Sequence, residues 1–507
     1  MPWLPLSQVW NIWKFGYEPF QAVGSDSLCL ATPNGNMLWT CDTAIIKQLF
    51  TLHTVQVPVK ILKFYDIWGP TLGSVEGEEW KTHRKVVTYG LNPSTLPTVW
   101  NEAIHQTRTL IQRWAQDDSV IPVAKHWTSR LALHVIASVF FDMKLDWREY
   151  TQAGKPPADG YRISFENALF TVVSRLGMIF IVPRTLMRIL PFKALQDTHI
   201  ALTDWTKYMQ QLRAKATDNI EEVAAKRNKT ILESVVVAGT PSAARPDNRA
   251  LSEESVLGNI FFTLMAGHET TGNSLAFALL LLAVHPQHQS AIQRELDAHF
   301  GTRPMDEWTV EHDYQILRKG YLGATVQEVL RVYNVVQFIF RITIASTTVR
   351  DSKGVSHTIP EYTTCLINVG GAFHNPSVWT PTPVPASKKA DLHHSPAIEF
   401  DPTRFLNISD EDDETFWPFG YGPRKCPGMP FAQVEMIGVI SSMLKDHSLE
   451  LVVSEKTLQN HKGNRQAAWE QTRDEAIRKL RDDVESNMNI QMVKELPIRL
   501  VERDMVA

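Results

Sequence analysis

One long helical segment in the second half of the chain constrains the fold more than any other feature of the sequence. Ser252 is a suitable N-cap, and Glu253 and Glu254 follow in the first turn, where acidic groups suit the positive end of the helix dipole. The helical pattern continues to Val284, and the dipeptide His285-Pro286 then ends it. At 1.5 Å per residue the predicted helix is on the order of 50 Å long, enough to cross a whole molecule of this size.

The rest of the 507-residue chain predicts mostly helices with a few short strands. Apolar residues make up 44% and charged residues 21%, which is ordinary globular composition and excludes a disordered chain. Helical periodicity extends from Trp80 to about Arg227, and residues 237–250 have the small, polar composition of a linker. Further predicted elements are strands over 28–32, 37–40, 338–344 and 363–369, a helix over 321–333 and a last long helix from about Pro430.

Charge and cysteine content exclude several classes of protein. Lys and Arg total 51 against 55 Asp and Glu, and the formal net charge of −4 argues against a nucleic-acid partner. The four cysteines form no C-x-x-C pair, which excludes a disulfide framework and the usual structural zinc site. The sequence has no run of roughly 18 to 20 apolar residues that could span a membrane. We therefore expect a reduced, intracellular protein.

The strongest local feature is the loop Phe419–Gly428, which precedes another predicted helix. Two glycines flank its cysteine closely enough for a tight turn and a close approach to something bulky. Arg424 and Lys425 stand beside Cys426, and these cations together with the helix dipole favour the thiolate form. Such a thiolate is a soft metal ligand or a nucleophile, whereas an isolated cysteine is usually a small buried hydrophobe.

The full string F-x-x-G-x-R-x-C-x-G, with Ala432 after it, resembles the haem-binding loop of the cytochrome P450 family. The sequence contains no papain-like or caspase-like cysteine signature, so the resemblance favours a metal ligand over a nucleophile. It implies that Cys426 binds the iron of a haem and that Phe419, Gly422 and Gly428 shape the loop against this cofactor.

Two more motifs occur in the order that the family has them. Glu328 and Arg331 resemble the E-x-x-R helix, and Arg404 matches the arginine of the later P-E-R-F element, in which Thr403 replaces the glutamate. The resemblance implies that Glu328, Arg331 and Arg404 form a charge network that fixes the haem-binding loop. By itself an E-x-x-R pair would be an ordinary surface ion pair, so its weight comes from its position.

The long helix carries the string Ala266-Gly267-His268-Glu269-Thr270-Thr271, which resembles the family's A-G-x-[DE]-T-[TS] oxygen-activation motif. The resemblance implies that Glu269 and Thr270 deliver protons and that Gly267 leaves room beside the iron. His268 occupies the variable position. A metalloprotease would need a second histidine where Gly272 stands, so we assign His268 no metal role.

Other predicted site residues follow from position relative to these motifs. Trp80 and Arg84 match the family's W-x-x-x-R helix, and at i,i+4 both project from one face. Together with Arg424 they are implied to bind the haem propionates. The predicted substrate wall, for which plain core packing is the alternative, consists of Ile67, Phe262, Ala266, Val336 and Phe338.

The resemblance implies a mainly α fold with small β-sheets, a single large domain over residues 26–507 that encloses haem b. Residues 1–25 are interpreted as an N-terminal segment in which the membrane anchor of eukaryotic members is absent or truncated. The implied activity is monooxygenation of a small hydrophobic substrate by a monomer, and the sequence resembles fungal secondary-metabolism members. The sequence has no G-x-G-x-x-G fingerprint or P-loop, so we expect electrons from NADPH to arrive through a separate NADPH–cytochrome reductase.

Two alternatives stay open from the sequence. One is a haem-thiolate peroxygenase or isomerase that needs no reductase, although the intact Glu269-Thr270 pair favours the oxygenase. The other is a non-catalytic haem-binding sensor. The expected location is the surface of the endoplasmic reticulum membrane if the native chain carries or compensates for an anchor, and otherwise the cytoplasm. The apolar segment 176–192 is the predicted point of peripheral membrane contact.

Overall fold

The computed structural model describes residues 9–32, 35–116, 119–147, 160–240, 251–379, 397–406 and 415–503. It confirms a mainly helical chain with small sheets. The α-helices are α1 (Glu18–Val23), α2 (Thr43–Thr51), α3 (Val59–Leu62), α4 (Gly77–Gly90), α5 (Leu96–Gln116), α6 (Ala124–Phe141), α7 (Phe165–Ser174), α8 (Leu176–Ile181), α9 (Arg184–Ile189), α10 (Lys193–Thr217), α11 (Ile220–Ala225), α12 (Ile231–Gly239), α13 (Glu253–Val284), α14 (Pro286–Phe300), α15 (Gln315–Lys319), α16 (Tyr321–Val332), α17 (Val369–Phe373), α18 (Pro376–Trp379), α19 (Met429–Asp446), α20 (Glu455–Asn460) and α21 (Arg465–Asp482). The strands are β1 (Ser27–Thr32), β2 (Gly35–Thr40), β3 (Val55–Gln56), β4 (Val120–Ile121), β5 (Phe338–Thr343), β6 (Thr347–Arg350), β7 (Ser356–Ile359), β8 (Thr364–Asn368), β9 (His447–Leu451), β10 (Glu485–Asn487), β11 (Asn489–Gln491) and β12 (Ile498–Glu502).

Helix α13 confirms the long helix predicted from the sequence. Its 32 residues correspond to about 48 Å. The hydroxyl of Ser252 accepts a hydrogen bond from the backbone N–H of Ser255 at 3.1 Å, which is the predicted N-cap. Residues 271–284 are all buried, so the C-terminal half of this helix is a core element.

The chain divides into two compact units, and each is built from separate stretches of sequence. The first, which we call the sheet unit, consists of Met1–Gln56, Ala103–Leu131 and Thr270–Ala507. All strands of the described residues lie in it. The second, the helical unit, consists of Val57–Glu102 and Ala132–Glu269. The domain limits predicted from the sequence stay a prediction.

The sheet unit contains a five-stranded sheet in the order β1-β2-β8-β5-β3. Strands β2 and β8 pair in parallel, with Leu38 opposite Cys365, while the other neighbours are antiparallel. A three-stranded sheet has the order β4-β12-β9, and β6–β7 and β10–β11 form two antiparallel pairs. Helix α19 forms much of the core, because its residues from Val434 to Lys445 are all buried.

In the helical unit, glycines allow two close backbone approaches. A Cβ on Gly90, at the end of α4, would lie 2.5 Å from the Cα of Ile231 at the start of α12. A Cβ on Gly258 of α13 would lie 2.5 Å from the carbonyl oxygen of Gly69. Because only glycine fits at such distances, the loop around residue 69 runs directly against the first turns of α13.

Two sequence predictions about element limits are wrong. Helix α19 is not the last long helix, because the 18-residue α21 follows it. The buried residues of α21 are Ala468, Ala476 and Leu480, so its apolar stripe consists mainly of alanine and gives a weak periodic signal. The predicted linker over 237–250 begins too early, because α12 extends to Gly239; residues 241–250 lie outside the described residues.

Among the described helices, none taken singly is long and apolar enough to span a membrane. Helices α13 and α14 meet such a criterion only as a pair that is bent by 104°.

Candidate active site

The predicted site residues are distributed over both units, and each group is described separately. The helical unit contains Ile67, Trp80, Arg84, Phe262, Ala266 and Glu269. The sheet unit contains Thr270, Glu328, Arg331, Val336, Phe338, Arg404, Phe419, Gly422, Arg424, Cys426 and Gly428.

The cysteine loop of the sheet unit is a tightly turned backbone segment that leaves the thiol at the surface. The backbone N–H of Cys426 donates to the carbonyl of Phe419 at 2.9 Å, which closes the loop. Gly420 and Gly422 have φ angles of 74° and 70°, a left-handed conformation that favours glycine. Cys426 is exposed, and Gly428 is the N-cap of α19. The loop therefore carries its cysteine three residues before α19 begins.

The loop rests on the end of α2. A Cβ on Gly422 would lie only 2.8 Å from the carbonyl oxygen of Phe50, so a larger residue cannot occupy this position without a shift. The ring of Phe50 also contacts Trp417 edge-on, with 5.5 Å between ring centroids. The side-chain amide of Asn334 donates to the carbonyl of Pro418 at 3.2 Å. These contacts hold the loop from two sides.

The predicted charge network is present and deeply buried. Arg331 binds both carboxylate oxygens of Glu328 at 2.7 Å, and both side chains are fully buried. The Nε atom of Arg404 lies 3.4 Å from Oε1 of the same carboxylate. The backbone N–H of Asp401 donates to this oxygen at 2.9 Å. The carboxylate of Glu328 is therefore surrounded by two guanidinium groups and a backbone donor, which compensates its burial.

An aromatic cluster, which sequence analysis missed, links this network to the cysteine loop. Arg404 donates to the carbonyl of Trp379 at 2.7 Å, and the Arg331 guanidinium lies 5.2 Å from the Trp379 ring. Trp379 in turn contacts Phe416 edge-on at 5.7 Å, immediately before the loop. The F-W-P-F string at 416–419 could have indicated an aromatic cluster, but its partner rings come from distant parts of the chain. Its members are Phe373, Trp379, Phe405, Phe416 and Trp417.

Helix α16, which carries Glu328 and Arg331, has its N-terminus capped from another helix. The carboxylate of Glu295 on α14 accepts from the backbone N–H groups of Tyr321 at 2.7 Å and Leu322 at 2.9 Å. These groups have no partner within their own helix, so Glu295 replaces a local N-cap. Glu295 was not predicted as a cap, because nothing in the local sequence pattern indicates a cap 26 residues away.

In the helical unit, Trp80 and Arg84 lie one turn apart on α4, and both are half-buried. His83 between them is buried, and its Nδ1 atom lies 2.9 Å from the side-chain nitrogen of Asn259 on α13. Burial lowers the pKa of His83 below its usual range, which suits an acceptor for the Asn259 amide. Asn259 also accepts from the backbone N–H of Leu72 at 2.9 Å. His83 therefore packs against α13 and orients α4.

Helix α13 leaves one stripe that protein atoms do not fully cover. Between Asn259 and Val284, the residues that are not fully buried are Phe262, Thr263, Ala266, Gly267, Glu269 and Thr270. Their spacing of three and four residues places most of them on one side of the helix. The stripe contains both predicted proton-delivery residues and two residues of the predicted substrate wall.

Gly267 packs closely against another helix. A Cβ at this position would lie 2.1 Å from Cδ1 of Ile136 on α6, so the glycine permits close packing of the two helices on that side. The predicted room beside the iron stays a prediction. The neighbouring His268 is fully buried, with its ring edge-on to Phe170 of α7 at 5.5 Å.

The remaining residues of the predicted substrate wall lie half-buried in their own units. Phe262 contacts Tyr65 edge-on at 5.3 Å, and its ring fills the space beside Gly73. Ile67 accepts a hydrogen bond at its carbonyl from Arg184 of α9 at 3.1 Å. Val336 and Phe338 are half-buried in the sheet unit. The lining role of these residues stays a prediction.

Comparison with known proteins decides the family. The family model described as cytochrome P450 matches residues 69–474, most of the chain. The chain belongs to the cytochrome P450 family. Cytochrome P450 monooxygenase prx9 of Penicillium rubens is 26% identical over 454 residues, covering 86% of this chain and 76% of that protein. A phomenoic acid biosynthesis cluster cytochrome P450 monooxygenase of Leptosphaeria maculans is 24% identical, covering 81% and 73%.

Solved P450 structures have the same fold. A cytochrome P450 described as CYP102L1 superposes with a TM-score of 0.68 at 19% identity and covers 98% of both chains. The heme domain of a cytochrome P450DA mutant gives 0.69 at 16% identity, covering 96% of this chain and 92% of that one. With the family established, the chain is a P450 oxygenase, and the family implies a haem cofactor.

The residues of this P450 chain fit a haem. Cys426 is an exposed free cysteine, and a cysteine sulfur is a soft donor that suits haem iron. A Cβ on Gly428 would lie 3.8 Å from this sulfur, which is already contact distance. Arg424 is half-buried in the same loop, and its guanidinium is the kind of cation that binds a propionate. A thiolate with a neighbouring guanidinium is the donor set that a thiolate-bound haem needs.

Proposed function

We propose that this P450 is a haem-thiolate monooxygenase that inserts one oxygen atom of O2 into a hydrophobic organic substrate. Electrons come from NADPH through a separate reductase. The observation that carries the proposal is the surface thiol of Cys426, on a loop supported by a buried Glu–Arg–Arg network, in a chain of this family. Relatives such as the Leptosphaeria enzyme belong to a biosynthesis cluster, which supports a role in secondary metabolism.

The chain's own residues would hold haem b as follows. Cys426 would bind the iron as thiolate, and Arg424, Trp80 and Arg84 are the proposed donors to the propionates. When bound, the haem supplies the activation of dioxygen, which no amino-acid side chain can perform. The Glu328–Arg331–Arg404 network keeps the loop in one conformation, because its buried charges tolerate few other arrangements.

Proton delivery is assigned to Glu269 and Thr270 on the uncovered stripe of α13. The Glu269 side chain is 12% exposed, so it can exchange protons with water while remaining largely surrounded by protein. Thr270 follows it directly and can pass a proton through its hydroxyl group, which both donates and accepts. Ala266 and Phe262, on the same stripe, are proposed to contact the substrate.

Electrons are proposed to arrive from outside the chain. The sequence has no dinucleotide or P-loop fingerprint, so NADPH has no usual binding fold here. Lys425 is exposed beside the cysteine, and its positive charge would suit an acidic surface on a reductase.

A peripheral membrane contact is proposed for the segment 176–192 of the helical unit. Large apolar side chains are more than half exposed in it: Phe180 at 64%, Ile181 at 77%, Ile189 at 65% and Phe192 at 61%. A patch of this kind favours insertion into the boundary between lipid headgroups and acyl chains. This contact supports a location at the surface of the endoplasmic reticulum membrane and access for hydrophobic substrates.

The test is a carbon-monoxide difference spectrum of the reduced holoenzyme, followed by turnover with NADPH and a reductase. Wild type is expected to show the thiolate-type band, and Cys426→Ala is expected to lose it. Cys29→Ala is the matched control, because Cys29 is also an exposed cysteine but lies on β1. A band that survives in Cys426→Ala contradicts the ligand assignment.

Turnover separates the proposal from its two alternatives. Oxygenated product that depends on NADPH and reductase supports the monooxygenase. Product formed with peroxide alone, or without any oxidant, identifies the peroxygenase or isomerase. A thiolate band without turnover on a broad panel of terpenoid, polyketide and alkaloid scaffolds favours the sensor.

A further inference from the structure

We propose that His299, His312 and Asp313 form a zinc-binding site in the sheet unit. The structure brings one ligand atom of each of these side chains within 4.8 Å of the other two. The site consists of two imidazoles and one carboxylate and therefore needs no cysteine. It does not rest on the proposed oxygenase function, because none of the three residues belongs to a motif of the haem site.

The three ligands come from two neighbouring elements. His299 is the second-last residue of α14. His312 and Asp313 lie in a short π-helical turn, Val310–Tyr314, immediately before α15. Single π-helical turns are rare and occur frequently at functional sites. This turn places the carboxylate of Asp313 against the imidazole of His299, across the loop that joins the two elements.

The carboxylate of Asp313 is fully buried and is oriented by the backbone. Its Oδ2 atom accepts a hydrogen bond from the backbone N–H of Thr309 at 2.7 Å. Its Oδ1 atom lies 2.8 Å from Nε2 of His299. Carboxylates that bind metals are commonly fixed by hydrogen bonds of this kind. One oxygen is therefore held by the backbone, while the other is directed towards an imidazole.

His312 supplies the third ligand and the route by which an ion enters. Its ring centroid lies 5.7 Å from that of His299, and its side chain is exposed. Bonds of about 2.0–2.2 Å in a tetrahedral zinc site place the ligand atoms about 3.4 Å apart. His299 and Asp313 would therefore separate by about 0.6 Å, and His312 would rotate towards them. The exposed side chain has the freedom for that rotation, so the buried carboxylate can stay in place.

The set of ligand atoms favours Zn²⁺ over Ca²⁺ and Mg²⁺. Imidazole nitrogen suits Zn²⁺, whereas Ca²⁺ and Mg²⁺ prefer sites built from oxygen. Two imidazoles and one carboxylate form a usual zinc ligand set, in which water completes the tetrahedron. His299 lies in the last turn of α14, where the negative end of the helix dipole also favours a cation. A bound ion would join the end of α14 to the π-helical turn.

Arg303 competes with a metal ion for this site. Its guanidinium binds the same carboxylate oxygen of Asp313, and it lies 5.1 Å from the centroid of the Phe300 ring. Zn²⁺ would add a second positive charge beside the guanidinium, so the ion must displace it from the oxygen. Because the Arg303 side chain is 30% exposed, it can turn into solvent. Replacing this arginine, which is not a ligand, should therefore strengthen zinc binding.

The first measurement is the amount of Zn²⁺ bound to the holoenzyme in equilibrium dialysis at micromolar free Zn²⁺. Wild type is expected to bind one equivalent more than His312→Asn, whose exposed position should tolerate the change. His357→Asn is the matched control. His357 also lies 2.8 Å from a carboxylate, that of Asp351, but no third ligand completes a site there among the described residues. This variant should bind as much Zn²⁺ as wild type.

Two further measurements test the chemistry of the site. Arg303→Gln should lower the Kd for Zn²⁺ by at least about fivefold, the factor that corresponds to about 1 kcal/mol. Ca²⁺ or Mg²⁺ at the same concentration should not displace the ion. Zn²⁺ at about one hundred times its Kd should raise the melting temperature of wild type by about 2 °C and leave that of His312→Asn unchanged.

Equal zinc binding by wild type and His312→Asn overturns the inference. An equal loss in His357→Asn also overturns it, because it shows general binding to surface histidines. Displacement of Zn²⁺ by Ca²⁺ contradicts a site with imidazole ligands. An unchanged or weaker affinity in Arg303→Gln contradicts the assignment of Asp313 as a ligand. The carbon-monoxide band should be the same in all variants, so these outcomes are separate from the test of the proposed function.

Discussion

Replacement of Arg331 by methionine tests whether the buried network supports the cysteine loop. Arg331 uses all five of its N–H donors: two bind Glu328, and three bind the carbonyls of Phe373, Ala397 and Glu399. Methionine fills a similar volume but donates none of these bonds. Of the described partners of the Glu328 carboxylate, only Arg404 and the backbone N–H of Asp401 would remain. The carboxylate would still be fully buried.

The expected cost follows from that geometry. Removal of one partner from a buried ion pair lowers the free energy of unfolding by about 3–5 kcal/mol. Unfolding 507 residues at about 2.1 cal/mol/K per residue corresponds to about 1.1 kcal/mol per degree. The melting temperature should therefore fall by about 3–5 °C. Because Arg331 also binds Ala397 and Glu399, the segment that carries Arg404 should loosen and the thiolate band should weaken.

The assay is thermal unfolding by circular dichroism together with the carbon-monoxide difference spectrum of the holoenzyme. Arg108→Met is the matched control, because Arg108 binds Asp306 at 2.6 Å with side chains 49% and 79% exposed. Such a surface pair contributes at most about 1 kcal/mol, so this variant should melt within about 1 °C of wild type. An Arg331→Met protein with wild-type melting temperature and a full thiolate band would refute the argument.

Two further predictions concern pH and membranes. Burial raises the pKa of Glu435 well above its usual range, so the folded state holds a proton that the unfolded state releases above pH 4.5. The free energy of unfolding should fall as the pH rises from 4.5 towards the raised pKa of Glu435, by up to about 1.4 kcal/mol per pH unit. Glu435→Gln should flatten this pH dependence in thermal melts at pH 6, 7 and 8. Wild type and variant losing stability in parallel would contradict the prediction. Phe192→Asp should weaken sedimentation with neutral phospholipid vesicles by roughly tenfold or more, since a buried Phe side chain contributes about 1.5–3 kcal/mol. The same change at the exposed Val355 of the sheet unit should leave vesicle binding unchanged, and equal effects would exclude a specific contact.

Local structure was predictable from the sequence where its cause lies within a few residues. The cap of Asp42 on α2 and that of Ser252 on α13 each depend on a side chain and a backbone N–H three residues later. The left-handed glycines of the cysteine loop likewise follow from a local string. The ion pair of Glu328 and Arg331 needs only i,i+3 spacing on one helix.

Contacts between distant segments were beyond sequence patterns. Glu295 caps a helix that begins 26 residues later, and the aromatic rings that support the cysteine loop are gathered from four separate stretches of chain. The contact between Gly267 and Ile136 likewise joins two different helices. None of these contacts leaves a periodic or spaced signal, because each depends on how whole helices pack.

The sequence by itself determined the family, the mainly helical fold and the identity of the thiol and acid–alcohol residues, because spaced motifs carry that information along the chain. Only the tertiary structure decided how those residues are oriented. The backbone N–H of Cys426 donates to the carbonyl of Phe419, and Gly422 packs against the carbonyl of Phe50, so these contacts fix the loop that carries the thiol. Orientation depends on distances between side chains in three dimensions, and the order of residues does not specify those distances.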